Sequence, residues 1–232
     1  IEPKGNAFNH FNFGSTLLWE LPQYKTFVDG RVDMFVPDIY QEWLIVAQQR
    51  RGWETVFEKY NIGWVIFPTA KITNELKKQV FLDNWCLVFW DDSATVLLNK
   101  SINPQLCKDY TYPPEVLNSN TTEENDLSQL KSAYQRAVNS SSLNATAHNK
   151  LGTVYAIMGE EEKAKKEFRT SINKLPKYSP PYLNLAILYK KNNPQESIRI
   201  LKEAKKNNPK NPTLYYQLAE IYKNKLGDTA TA

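Results

Sequence analysis

Three leucines, Leu151, Leu185 and Leu218, recur at separations of 34 and 33 residues, and their surroundings recur with them. A small residue follows each one (Gly152, Ala186, Ala219), and a tyrosine stands four positions on (Tyr155, Tyr189, Tyr222). After the first two tyrosines comes a turn and a second set, Ala164, Phe168, Ser171 and Pro176, answered by Ser197, Leu201, Ala204 and Pro209. Self-similarity at such a period constrains the fold strongly, because each unit is too small to bury its own apolar face and must stack on a neighbour. The spacing predicts pairs of antiparallel helices. Small residues let the helices approach, bulky ones fill the space between them, and the prolines end each second helix.

This pattern resembles the tetratricopeptide (TPR) family, whose helix-turn-helix carries W-x2-L-G-x2-Y, A-x3-F-x2-A and P positions. His148, Tyr182 or Tyr215 stands where the family has tryptophan, and the second repeat is one residue short near "NNPQES". We read repeats over 145–178 and 179–211 and a partial repeat over 212–226. Upstream, Leu130, Tyr134 and Ala137 in "EENDLSQLKSAYQRAVNSS" predict a lone capping helix over 123–140 in second-helix register. The whole array is expected to occupy 123–232.

In that family the first helix of each repeat lines a groove that binds peptides. The resemblance carries this role to Asn149 and Thr153, to Leu183, Ile187 and Lys190, and to Tyr216, Glu220 and Lys223. The expected partner is therefore a protein or peptide, although a face that is merely solvated or packed structurally accounts for the same residues. The Lys/Asn/Arg arrangement with which chaperone-binding members clamp a C-terminal carboxylate is not reproduced.

The first half of the chain has another character. All six tryptophans (Trp19, Trp43, Trp53, Trp64, Trp85, Trp90) lie in it. Residues 1–120 carry 11 basic against 14 acidic side chains, whereas 121–232 carry 18 against 11, so charge and composition shift together at a domain boundary. The lysines of the second half lie beside glutamates around predicted helices, the pattern of a solvated surface, and no nucleic-acid partner is expected. The longest apolar runs, "GWVIFP" and "WCLVFW", are far short of the roughly 20 residues that span a bilayer. The chain begins at Ile1, and we expect it to be part of a longer protein.

Residues 1–105 alternate between strand and helix periods. "NAFNH", "YKTFVD", "IGWVIFP" and the two arms of "WCLVFWDDSATVLLNK" read as strands. "FNFGSTLLWELP", "PDIYQEWLIVAQQR", "WETVFEKYN" and "ITNELKKQV" read as helices. This order predicts an α/β domain with a mostly parallel sheet, a terminal hairpin and flanking helices. A linker rich in proline and asparagine is expected over 106–122.

Candidate chemistry is sparse. No Gly-rich phosphate loop follows a strand, and the two histidines, His10 and His148, lie in different domains without a neighbouring nucleophile, so triad and metal chemistry are not expected. No catalytic residue, metal or cofactor is assigned. Asp29 and Arg31 flank Gly30 at the end of a predicted strand, where α/β proteins place ligands such as a sugar or phosphate. The same residues suit a turn, with Arg31 pairing with Asp33 or Asp38, and that reading carries more weight. Asp91-Asp92 is expected to be a hairpin turn rather than an acid/base pair, and Trp19, Trp43 and Trp53 are expected in the core. Pairing of Cys86 with Cys107 is open at this level.

Taken in order, "FNHFNFGSTLLWELP", "KTFVDGRVDMF", "VFEKYNIGWVIFP" and "NWCLVFWDDSATVLLNK" resemble the soluble region that follows the last membrane span in GT-C type glycosyltransferases, similar to dolichyl-phosphate-mannose protein mannosyltransferases. The resemblance covers about residues 5–100. It implies an extracytoplasmic, non-catalytic domain of a membrane glycosyltransferase-like protein, since that family's catalytic carboxylate lies between membrane spans. Two alternatives stand beside it: a free-standing TPR adaptor, and an α/β domain binding a small polar ligand near Asp29 and Arg31.

Overall fold

The computed structural model describes residues 2–31, 37–48, 50–71, 84–117 and 127–230, except the side chains of 114, 117 and 224–230. The chain divides into two units, Ile1–Asn120 and Thr121–Ala232.

The first unit holds a four-stranded sheet of β1 (Asn6–Asn9), β2 (Ile62–Pro68), β3 (Trp85–Trp90) and β4 (Ala94–Asn99) in the order β1-β2-β4-β3. β1 runs parallel to β2, whereas β2 with β4 and β4 with β3 are antiparallel. The expectation of a mostly parallel sheet is thus corrected. β1, β2 and β3 do point the same way, but the return strand of the hairpin inserts between β2 and β3. Its sequence explains the placement: "ATVLLN" is apolar on both faces, and Leu97 and Leu98 are fully buried. Asp91 closes the hairpin by accepting the backbone N–H of Ser93 and of Ala94, both at 2.8 Å, the turn role expected of it.

Helices α1 (Phe11–Glu20), α2 (Pro37–Ala47), α3 (Trp53–Lys59) and α4 (Pro104–Tyr110) accompany the sheet. One sheet face, with Ala7, Trp64, Val88 and Leu98, packs with Leu17 of α1 and Cys107 of α4. Trp43 of α2 and Trp53 of α3 are buried as expected, but Trp19 is 84% exposed on α1. The helical period accounts for this: Gly14 and Leu17 form the buried side of α1, and Trp19 falls off it. The predicted helix over 72–80 lies outside the described residues.

Two further differences follow from side chains that substitute for regular structure. "YKTFVD" is not a strand. Buried Asn9 accepts the Phe27 N–H at 2.9 Å and donates to the Val28 carbonyl at 2.6 Å, so a carboxamide takes the place of a strand partner. The segment runs against α1 at Gly14, where an added Cβ would lie 2.2 Å from the Val28 carbonyl oxygen. The second difference concerns the expected linker. Residues 104–110 form α4, and Cys107 is joined to Cys86 of β3 by a disulfide with Cα atoms 5.7 Å apart. A 3-10 turn, Pro114–Leu117, follows after Tyr112 bridges to Leu87. Replacing both cysteines with serine should cost about 3 kcal/mol through the lost restraint on the unfolded chain. Chemical denaturation followed by tryptophan fluorescence checks this, because the six tryptophans report on the first unit alone.

His10 caps α1, its Nδ1 accepting from the Asn12 N–H at 3.3 Å, while its Nε2 lies 2.9 Å from the Lys71 ammonium. Burial, and then the Lys71 charge, hold its pKa below the ordinary 6.5. The unfolded chain therefore binds the proton more readily, and this group should lower stability as pH falls through 6.5. In His10→Gln that dependence should flatten, as measured by denaturation midpoints at successive pH values.

The second unit is helical throughout its described residues. α5 (Leu127–Ser140) precedes α6 (Ala145–Ile157) and α7 (Glu161–Lys174), then α8 (Pro180–Lys190) and α9 (Pro194–Asn207), then α10 (Pro212–Ala230). Asn144 and Asn193 cap α6 and α9 by accepting backbone N–H groups, and prolines open α8, α9 and α10 where their missing N–H costs nothing. Leu151, Ala164, Phe168, Leu185, Ala186 and Leu201 are buried between paired helices. Ser171 Oγ donates to the Ala145 carbonyl and Ser197 Oγ to that of Ala186, fastening the helices of each pair.

Candidate interaction surface of the helical repeats

The first helices α6, α8 and α10 carry every predicted groove residue, and side-chain bonds join these helices across the array. Between α6 and α8 the link is Asn184, whose Nδ2 donates to Asn149 Oδ1 at 3.0 Å and to Thr153 Oγ1 at 3.3 Å. Asn149 is buried, so its carboxamide oxygen is committed to holding α8. Between α8 and α10, Lys190 Nζ lies 2.5 Å from Glu220 Oε1 in a half-exposed ion pair. Leu183 is half-buried and Lys223 exposed.

Two apolar residues on these positions stand out in solvent: Ile187 is 57% exposed and Tyr216 69%. Within a helical unit whose other leucines and tyrosines of the repeat register are mostly covered, they offer area to a partner. The resulting face is polar and hydrogen-bonded toward α6, with an ion pair and two open apolar side chains toward α10.

Asn184 was not among the predicted groove residues. It lies one position off the Leu183/Ile187/Lys190 stripe, and the one available signal was an asparagine, a poor helix former, amid "PPYLNLAILYK". His148, at a family tryptophan position, turns to Glu167 instead, with Nδ1 2.7 Å from its carboxylate.

The other predicted site residues sit in the first unit. The Asp29 carboxylate is buried and accepts the Arg31 backbone N–H at 2.8 Å, and the Arg31 guanidinium closes on it at 2.5–3.2 Å. The hydrogen bond from the Arg31 side chain is the main cause that holds the Asp29 carboxyl below its ordinary range. The two side chains serve each other and brace the turn at Gly30, with Arg31 paired to Asp29 itself. Of its two expected partners, Asp33 lies outside the described residues and Asp38, at the start of α2, forms no ion pair with Arg31. Among the described residues no cluster of three His, Cys, Asp or Glu could hold a metal.

Residues 145–173, α6 with α7, match the tetratricopeptide repeat family. The match spans one repeat of the second unit. No curated protein matches the chain. Among solved structures it is similar to MamA, at 18% identity over 73% of this chain and 85% of that one, with a TM-score of 0.36. It is also similar to a thermophilic TPR protein of Thermus thermophilus, at 16% identity over 91% of this chain and 88% of that one, with a TM-score of 0.41.

Proposed function

We propose that the α6–α8–α10 face of the TPR array receives an extended segment of a protein partner. TPR repeats point to protein–protein interaction, and the observation that carries the finer reading is the exposure of Ile187 and Tyr216 on positions where the array would touch a peptide. Peptides selected from a displayed random library against the whole chain should bind saturably. Ile187→Asp and Tyr216→Ala should each weaken them about tenfold, equivalent to about 1.4 kcal/mol, the scale of losing a residue that anchors an interface. Binding indifferent to both substitutions would sink the groove as the site.

The first unit supports a proposal about the parent protein: an extramembrane, non-catalytic part of a GT-C glycosyltransferase-like membrane protein, on the extracytoplasmic side. The order of its segments supports the family, and the Cys86–Cys107 disulfide supports an oxidising compartment. Among the described residues no helix is long and apolar enough to cross a membrane, so the proposal requires spans elsewhere in the gene. Several hydrophobic spans encoded upstream of Ile1 is the expected finding, together with no glycosyl transfer by this chain. An upstream sequence without spans would favour the free-standing adaptor instead.

A further inference from the structure

A concavity of about 440 Å³ opens in the first unit where α3 meets the Ile62 end of β2, the Trp85 end of β3 and the Asn99 end of β4. Its size falls within the roughly 300–1,000 Å³ of small-ligand sites. It lies at the opposite sheet end from the Asp29 turn side, since Ile62 and Trp85 begin their strands. Trp53, Phe57 and Trp85 form its floor as one aromatic cluster, with successive ring centroids 5.2 Å apart.

The rim consists of side chains that the fold does not use. Glu54 and Glu58, one turn apart on one face of α3, form no ion pair with a described residue. Asn61, held at the α3–β2 junction with a φ of 48°, and Asn84, before β3, contribute backbone groups to the structure while their exposed carboxamides bond to no described residue. The Ser101 hydroxyl completes the rim. Asn99 is different, because its Oδ1 accepts the Ser101 and Ile102 N–H groups and fixes that wall.

The chemistry of this set selects among ligands. The described lining residues include two carboxylates and no lysine or arginine, which disfavours phosphate and carboxylate ligands. A quaternary ammonium would match the glutamates and the aromatic floor, yet it has no N–H to offer the oxygens of two carboxamides and a hydroxyl. Vicinal hydroxyls on a ring with an apolar face suit all of them: each hydroxyl both donates and accepts, as carboxamides and serine do, carboxylates accept, and the ring's C–H face matches the apolar surface that Trp53, Phe57 and Trp85 contribute. We propose that this concavity binds a neutral saccharide. The inference rests on the first unit alone and is independent of the peptide reading of the repeats.

The test is saturation-transfer NMR with isothermal titration on the full chain, using methyl glycosides of glucose, galactose, mannose and N-acetylglucosamine as probes. Choline and inorganic phosphate serve as cationic and anionic comparators. At least one glycoside should bind saturably. Asn84→Ala and Glu58→Ala, both at exposed positions that should leave the thermal midpoint in place, should each weaken it about tenfold by removing hydrogen bonds to ring hydroxyls. Three results would overturn the proposal: no saturable glycoside at about 50 mM, weaker than any useful site; choline or phosphate binding in preference; or glycoside binding unchanged in both variants.

Discussion

Replacing Asn9 with leucine should destabilise the first unit by about 4 kcal/mol, because two buried backbone groups lose their partner and an unpaired buried polar group costs about 1–3 kcal/mol each, with lost packing besides. The partners are the Phe27 N–H and the Val28 carbonyl; the Val28 N–H lies at the edge of reach, 3.5 Å from Asn9 Oδ1, and the His10 carbonyl, which also accepts from Asn9 Nδ2 at 3.1 Å, keeps the Phe13 N–H. Leucine has the same heavy-atom branching and no polar atom, so the experiment removes the hydrogen bonds without opening a cavity. The Asn9 carbonyl, which accepts the Trp43 indole N–H at 3.0 Å, is backbone and remains. The consequence should spread along the 27–31 segment, whose Asp29–Arg31 turn depends on Val28 being seated against Gly14. Tryptophan fluorescence during urea unfolding measures the change, and a loss under about 1 kcal/mol would mean that the segment is held by apolar packing of Phe27 and Val28 instead. Circular dichroism of the helical unit should be unaffected, so the two probes separate the units where a single two-state fit would not.

Asn9 also marks the limit of what the sequence discloses. Period-two and helical patterns located β1 to β4 and α1 to α3, because those patterns are local consequences of which face is buried. Strand order is not local. "ATVLLN" announced a strand buried on both faces, but whether it ended the sheet or entered it depended on pairing energies with "IGWVIFP" and "WCLVFW" that no single segment contains. "TFVD" has strand composition, and what denies it a strand partner is the side chain of a residue 18 positions earlier. Trp19 departs from expectation for a related reason: aromatic type favours the core, whereas the buried face of α1 is set by Gly14 and Leu17. In the helical unit the reverse holds. There the contacts that decide the fold join residues within one repeat, so register and spacing disclosed the helices. Asn184 escaped, since its role depends on a neighbour 35 residues away, Asn149, that is itself committed.

Phe168→Ala should cost the helical unit about 3–5 kcal/mol, the range for deleting a fully buried phenylalanine. The ring fills the space that Gly152 leaves: a Cβ at Gly152 would lie 2.7 Å from two atoms of the Phe168 ring. Gly152→Ala alone should therefore destabilise by about 1–3 kcal/mol through overpacking, against the small gain alanine normally gives in a helix. The pair distinguishes a steric lock from two independent effects. If glycine and ring form one contact, Gly152→Ala combined with Phe168→Leu should cost less than the sum of Gly152→Ala and Phe168→Leu made singly by about 1 kcal/mol, because the smaller side chain admits the new methyl. Additive costs would mean that α6 and α7 adjust separately. On the proposed peptide reading the lock bears on binding as well as stability, because α6 carries Asn149 and Thr153, the residues on which Asn184 aligns α8. A variant that loosens α6 from α7 should then bind selected peptides more weakly even at temperatures where circular dichroism shows it fully helical. Equal affinity under those conditions would place the peptide contacts wholly on α8 and α10.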